Sequence, residues 1–395
     1  MGAELALGEA PRARHGAAIA GGLVVGAATT WNVSNVGAVA DPLAEAYGVS
    51  LAAIGLLTTA LFVTHLAVQI PGGRLIDRVG ARRIALLALA VTAGGNAICL
   101  TSADLGVGLT GRALAGLGTG AGFVAGVDLV RAGRGGPVWQ GAYGGATMAG
   151  GGLAVMVVPL LVGTLGWRAP YWSALVLAVA SVPVVLAGGA VRSDPHDGLR
   201  ARVLGDRRLL PLGLLQAATF GLSVVAGNWV VALLERHGIG RSAAGAIGGL
   251  ILFAGIVTRP AGGWVLRHRP AWVLPLVTAS LAVGSAAMLA LAAGPPLPLA
   301  AVASLAAGLA AGFPFAAVFA ATQRLRPDAP ATAVGFVNSC AVLTILVGTP
   351  LAGLAFALPG DGAPAFVAIG ALWACALLPL RRTPLARGSE AGQSR

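Results

Sequence analysis

Apolar residues run along this chain in long stretches broken by short clusters of Arg, Asp, Pro and Gly, and the stretches lack the polar face of a helix lying on a soluble core. Crossing a hydrocarbon core of about 30 Å takes roughly 20 mostly apolar residues. The pattern predicts six such helices near 16–40, 51–72, 83–102, 106–130, 141–165 and 169–190. It predicts six more near 210–235, 242–265, 271–293, 297–321, 332–357 and 363–381. The expected fold class is an all-α membrane protein with twelve transmembrane helices. Val191 to Arg208 is the longest polar stretch, with Arg192, Asp194, His196, Asp197, Arg200, Arg202, Asp206, Arg207 and Arg208 in no chemical spacing, and reads as a solvated loop. The expected organisation is an N-terminal six-helix bundle over 1–190, a linker loop over 191–209, a C-terminal six-helix bundle over 210–381 and a tail over 382–395.

The two halves echo each other. At an offset of 190, Leu43, Glu45, Gly48, Gly55, Gly72 and Gly73 meet Leu233, Glu235, Gly238, Gly245, Gly262 and Gly263. At 192, Ala115, Gly116, Leu117, Gly120 and Phe123 meet Ala307, Gly308, Leu309, Gly312 and Phe315. At 191, Gly144, Pro159 and Leu160 meet Gly335, Pro350 and Leu351. A nearly constant offset of half the chain is what two parallel six-helix repeats produce.

Composition narrows the function classes. Of 395 residues, 57% are hydrophobic and 10% charged, against about 25% charged in an average soluble domain. Too few charges remain for a separate soluble domain. The 60 glycines and 23 prolines read as packing surface, because small residues let helix backbones approach inside a bilayer. A net charge of +12 suggests nucleic acid only on a clustered basic face, whereas these arginines sit between apolar segments; no nucleic-acid partner is expected. Cys99, Cys340 and Cys375 match no metal or redox spacing, so neither metal nor cofactor is implied. The chain carries no H-E-x-x-H or G-x-S-x-G pattern, and an enzyme is not expected.

All 26 basic residues are arginine. With the amino terminus inside, only Arg168, Arg236 and Arg241 fall outside, and Arg112 and Arg259 fall in or near the membrane. The positive-inside rule then places both termini in the cytoplasm. Arg12 and Arg14 precede an apolar stretch without a small-residue cleavage site, so the first helix is expected to stay as an anchor in a bacterial inner membrane.

After the second predicted helix the chain reads Gly73, Arg74, Leu75, Ile76, Asp77, Arg78, Val79, Gly80, Ala81, Arg82, Arg83. Glycines let two helices turn tightly, and Asp77 is an acceptor for a helix amino terminus or for neighbouring arginines. This resembles the loop signature of the major facilitator superfamily, G-x-x-x-D-R-x-G-R-R, departing from it at Ala81. The copy after the eighth helix, Gly262 to Arg269, lacks the acid. The fourth helix carries Arg112 before Gly116, Gly118, Gly120 and Gly122, which is similar to the superfamily's intramembrane arginine and glycine face. The fifth carries Gly144, Gly145, Ala149, Gly150, Gly151 and Gly152 without the Gly-Pro pair of the exporters, and so reads as a packing face.

The resemblance implies secondary active transport by alternating access, with helices 1, 4, 7 and 10 lining a central cavity. Carried onto this chain, it makes Trp31, Asn32, Asn35, Arg112, Gln216, Asn228, Trp229 and Phe315 the candidate substrate cavity. Gly73, Asp77, Arg78, Gly80, Arg82 and Asp128 are the candidate cytoplasmic gate. Arg112 without a core acid favours a neutral or anionic small molecule. Protons are the expected coupling ion, with His65, Asp41 and Asp128 as candidates, although His65 also reads as a neutral histidine bonded to a backbone carbonyl. Arg259, at the repeat position of Gln69, is expected at the cytoplasmic rim. Drug or metabolite efflux and a non-transporting receptor or scaffold on the same fold are the alternatives. The lipid bilayer is a partner on every reading.

Overall fold

The computed structural model describes the backbone of residues 2–188, 203–380, 383 and 385, and the side chains of this set from 15 onward except that of 241. Residues 191–202 of the predicted linker, the predicted tail apart from 383 and 385, and the side chains of Arg12, Arg14 and Arg241 lie outside the described residues. Among those described, helix dominates. The first sequence half forms α1 (Gly2–Ser34), a short α2 (Ala40–Tyr47), α3 (Leu51–Val79), α4 (Ala81–Thr101), α5 (Leu105–Ala132), α6 (Pro137–Leu165) and α7 (Ala169–Ala187). The second forms α8 (Leu210–Gln216), α9 (Leu222–Arg236), α10 (Arg241–His268), α11 (Val273–Ala292), α12 (Leu297–Gly312), α13 (Pro314–Leu325), α14 (Pro330–Ala355) and α15 (Ala363–Cys375).

These make twelve membrane crossings. Ten described segments are long and apolar enough to span; the longest, Pro137–Ala187, contains two crossings joined by a 3-10 turn at Gly166–Arg168, and the shorter α15 adds the last. Three crossings differ locally from the prediction. The first stops at Ser34 rather than near 40, and α2 follows as a separate helix whose Leu43 and Tyr47 pack with Val36, Leu57, Cys99 and Tyr171 over one end of the bundle. The seventh is interrupted between α8 and α9 by a π-helical turn, Ala217–Gly221. The tenth is divided between α12 and α13 where Pro314, which has no N–H to donate, follows Phe313.

The chain forms two compact units. Unit 1 is Met1–Trp139, Ala146–Ala201 and Pro327–Gly335; unit 2 is Gln140–Gly145, Arg202–Arg326 and Phe336–Arg395. Gln140–Gly145 of α6 thus belong with unit 2, and α14 as far as Gly335 belongs with unit 1.

Within unit 1, α5 is the buried central helix, and its glycines explain how α3 and α4 reach it. A methyl group on Gly116 would run into the Leu61 carbonyl of α3, one on Gly120 into His65 and Val68, and one on Gly118 into Ala88 and Thr92 of α4. Unit 2 repeats the arrangement with α12 at its centre. There Gly308 faces the Ile251 carbonyl of α10 and Gly312 faces Thr258. Ile251 and Thr258 are the 190-offset partners of Leu61 and Val68, so the repeat read in the sequence recurs as the same glycine contacts.

Candidate functional site

Arg112 lies on α5, two turns from its start at Leu105, and is 0% exposed. Its Nη2 donates to the Asn32 carbonyl at 2.6 Å and its Nη1 to Asn35 Oδ1 at 3.4 Å. Asn32 lies in the last turn of α1 and Asn35 directly after its end, and both are themselves fixed. Asn32 Nδ2 donates to the Ala28 carbonyl at 2.9 Å, Asn32 Oδ1 accepts from Asn96 Nδ2 at 2.8 Å, and Asn35 Nδ2 donates to the Pro170 carbonyl at 2.8 Å. Trp31 Nε1 donates to Ser173 Oγ on α7 at 3.1 Å. Beside this network the Tyr47 and Tyr171 hydroxyls are 3.0 Å apart. Arg112 makes no ion pair among the described residues, and its Nε has no partner. A buried guanidinium held by neutral acceptors keeps its full positive charge and part of its donor capacity, an arrangement able to take an anionic or strongly accepting group.

The remaining predicted cavity residues lie in unit 2. Gln216 closes α8 directly before the π turn, is 0% exposed, and has no partner at either amide atom. Asn228 and Trp229 on α9 bind one residue of α14: Asn228 Nδ2 donates to Thr349 Oγ1 at 3.3 Å and Trp229 Nε1 to the Thr349 carbonyl at 2.9 Å. Phe315 packs edge-on against Phe319 at 4.7 Å.

Phe315 has a second neighbour. Arg259 is 2% exposed, its guanidinium stacks 4.3 Å from the Phe315 ring and 5.0 Å from Phe220, and its Nη1 donates to the Gly144 carbonyl at 3.0 Å. Phe220 belongs to the π turn, so the irregular helix supplies one wall of this cage. Gly144 is required for the approach, since a Cβ there would sit 2.6 Å from the Phe315 ring and 2.7 Å from Arg259 Cδ. An arginine near the polar end of an apolar run ordinarily reaches for water, whereas this one is enclosed by protein. The aromatic cage depends on residues distant in sequence.

The predicted gate residues divide between two places. Asp77, at the last turn of α3 and 7% exposed, accepts from the backbone N–H groups of Ala331 and Thr332, each at 2.9 Å, and from the Thr332 hydroxyl. It thereby caps the free amides at the start of α14 from outside that helix. Gly73 lets the backbones meet, because a Cβ would fall 2.7 Å from the Thr332 Cα. Gly80, at φ +92°, turns the chain from α3 into α4 in a conformation that favours glycine. Asp128 pairs with Arg131 at 2.6 Å on its own helix. Arg82 instead donates to the Val185 and Leu186 carbonyls at the end of α7, at 3.3 and 2.8 Å, and Arg78 is exposed.

Of the coupling candidates, Asp41 is exposed on α2, and His65 is buried on α3. His65 Nδ1 hydrogen-bonds to Thr119 Oγ1 at 3.0 Å, a side-chain partner rather than the backbone carbonyl expected, and Thr119 Oγ1 also donates to the Gly116 carbonyl at 3.1 Å. No group of metal-ligating side chains occurs among the described residues.

Comparison with known proteins gives three findings. The family model described as Major Facilitator Superfamily matches residues 22–349. The inner membrane transport protein YajR of Escherichia coli (strain K12) is 29% identical over 189 residues, covering 43% of this chain and 41% of that protein. This chain therefore spans less than half the length of that relative in the match. The crystal structure of the human organic anion transporter MFSD10 (TETRAN) superposes with a TM-score of 0.72 at 19% identity, over 94% of this chain and 99% of that one, a likeness of fold.

Proposed function

Because this chain belongs to the Major Facilitator Superfamily, we propose that it is a secondary active transporter that carries a small organic anion across the bilayer by alternating access, coupled to protons. The single observation that carries the anionic reading is Arg112, fully buried and, among the described residues, held by Asn32 and Asn35 with Nε unpartnered. A charge withdrawn from water is costly, and an anionic ligand group offsets that cost where a neutral one does not. The name of the fold relative MFSD10, an organic anion transporter, is consistent with this class.

The moving parts in this proposal are the six-helix bundles over 1–190 and 210–381. Asp77 on the start of α14, and Arg259 on the start of α6, each tie a helix of one sequence half to a helix of the other. We read both as closures that break when the carrier opens on that side. Gln69 and Arg259 are 190 apart and Gly335 and Gly144 are 191 apart; Gly335 lies against the Gln69 carbonyl as Gly144 lies against Arg259. The second repeat thus lacks the acid but has a guanidinium at the equivalent junction. The arginine asymmetry and the likeness to an inner membrane protein support a bacterial inner membrane location with both termini cytoplasmic.

The test is flux in proteoliposomes under an imposed pH gradient, with labelled monocarboxylates, dicarboxylates and neutral sugars, for wild type, Arg112→Lys and Arg112→Gln. An anion should be carried, with flux reduced at least about tenfold in Arg112→Gln, the loss of one charge-assisted hydrogen bond. A neutral solute carried equally well by wild type and Arg112→Gln would sink the anionic reading. The sign of the gradient that drives flux separates uptake from efflux.

A further inference from the structure

The turn between α10 and α11 is the second copy of the turn between α3 and α4, and it has exchanged the residues that tie the first copy inward. At the offset of 190, Asp77 meets Arg267 and Arg82 meets Trp272. In the first copy Asp77 caps α14 and Arg82 donates to the end of α7. In the second, Arg267 is exposed and Trp272 is 67% accessible. Trp264, 51% accessible, lies one turn before Arg267 and His268, so these three side chains share one face of α10. The His268 ring stacks on the Trp264 indole at 4.9 Å, and its Nδ1 donates to the Trp264 carbonyl at 3.0 Å. Arg269, also exposed, follows, and the 3-10 turn Pro270–Trp272 leads the chain into α11.

Depth in the bilayer follows from helix length. From Arg241, where α10 starts, to Trp264 the helix rises about 35 Å at 1.5 Å per residue. Hydrocarbon accounts for about 30 Å of that. Trp264, Arg267 and Trp272 therefore emerge in the headgroup layer, where an indole turns its ring to the acyl chains and its N–H to polar groups.

The charge at this turn is positive and uncompensated. The sequence holds no Asp or Glu between Glu235 and Asp328. Among the described residues neither Arg267 nor Arg269 forms an ion pair or a hydrogen bond, and neither indole N–H of Trp264 and Trp272 has an acceptor. Two exposed guanidinium forks match the oxygens of a phosphodiester. A zwitterionic headgroup brings a cation of its own to the same place, whereas an anionic one does not. We infer that this turn is a docking surface for an anionic phospholipid headgroup, with the phosphodiester on Arg267 and Arg269 and the indoles of Trp264 and Trp272 at the level of the ester groups. The surface is separate from Arg112 and from the transported solute. It fixes the level at which α10 leaves the bilayer.

The intact protein is placed in nanodiscs of phosphatidylglycerol or of phosphatidylcholine with the same acyl chains, and arginine modification by water-soluble p-hydroxyphenylglyoxal is followed by peptide mass spectrometry. Arg78 and Arg83, exposed at the first copy of the turn, report the protection that a charged lipid surface gives any arginine. Beyond that, Arg267 and Arg269 should react about fivefold more slowly in phosphatidylglycerol than in phosphatidylcholine. Equal rates in the two lipids would overturn the site, as would equal protection at the two turns or protection by inorganic phosphate added to phosphatidylcholine discs. In native mass spectra Arg267→Gln/Arg269→Gln should retain one phosphatidylglycerol fewer than wild type; equal retention would also overturn it.

Discussion

Replacing Asp77 by Asn changes one atom of a buried cap and leaves its shape. The carboxylate accepts two backbone amides at 2.9 Å, one on each oxygen, and the Thr332 hydroxyl besides. An amide has a single acceptor oxygen, so the –NH2 must face at least one of those N–H groups. Losing a charge-assisted hydrogen bond costs about 1.5–3 kcal/mol, and losing the negative charge at a helix amino terminus a further ~0.3–1 kcal/mol. Together these amount to about 2–4 kcal/mol, or a roughly 30- to 1000-fold rise in the open population at the start of α14. Amide hydrogen exchange of a peptide covering Ala331 and Thr332 measures this directly, since protection scales with the free energy of local opening. Peptides from α11, which does not touch the cap, serve as the control for global unfolding. Protection at Ala331 and Thr332 that falls by less than about threefold, with α11 unchanged, would refute the claim that Asp77 holds this junction.

Gly120→Val should lower the thermal unfolding midpoint in detergent markedly, because the new side chain meets the His65 backbone; overpacking of this kind costs about 1–3 kcal/mol or more, and an unchanged midpoint would count against the glycine seam between α3 and α5. In a double-mutant cycle on Arg259→Met and Phe315→Leu, the coupling should reach about 0.5–2 kcal/mol if the ring and guanidinium interact as their 4.3 Å separation implies, and additive effects would exclude it. Asp206 has its carboxyl depressed by Arg208, so its contribution is present above its unfolded value of about 3.9 and is lost as pH falls through the lower folded value. Thermal stability should therefore drop more for wild type than for Asp206→Asn between about pH 6 and pH 3, and parallel curves would show that the pairing adds nothing.

The fold was legible because membrane solvation writes it into one dimension. Hydrocarbon demands apolar runs of near-constant length, and the twelve crossings follow from counting them. The repeat was legible too, since Gly116 with Leu61 and Gly308 with Ile251 serve the same close packing in each unit. The breaks inside crossings were not. Nothing in the local run Gln216 to Leu222 marks a π turn, and the residues Gly221 seats against there, Ala341 and Thr344 of α14, are distant in sequence.

Among the candidate site residues, composition and position singled out Arg112, because a charge inside an apolar run stands out. Which groups hold it could not be read: Asn32 and Asn35 lie 80 and 77 residues from Arg112 and meet it, and Asn96, only when α1, α4 and α5 pack. Arg82 shows the same. Its place in a signature was legible, but its partners, the carbonyls at the end of α7, lie 103 and 104 residues away in sequence and were not.

By itself the sequence determined the solvent this protein lives in, its twelve helices and its two-fold internal repeat, all properties of hydrophobicity and periodicity along the chain. Tertiary structure alone decided what each buried polar group does. It set Asp77 on the amides of α14, enclosed Arg259 between Phe220 and Phe315, and left Arg112 with neutral partners. The reason is physical: burial of an apolar residue depends on its own transfer free energy, whereas burial of a charge depends on which distant atoms arrive to meet it.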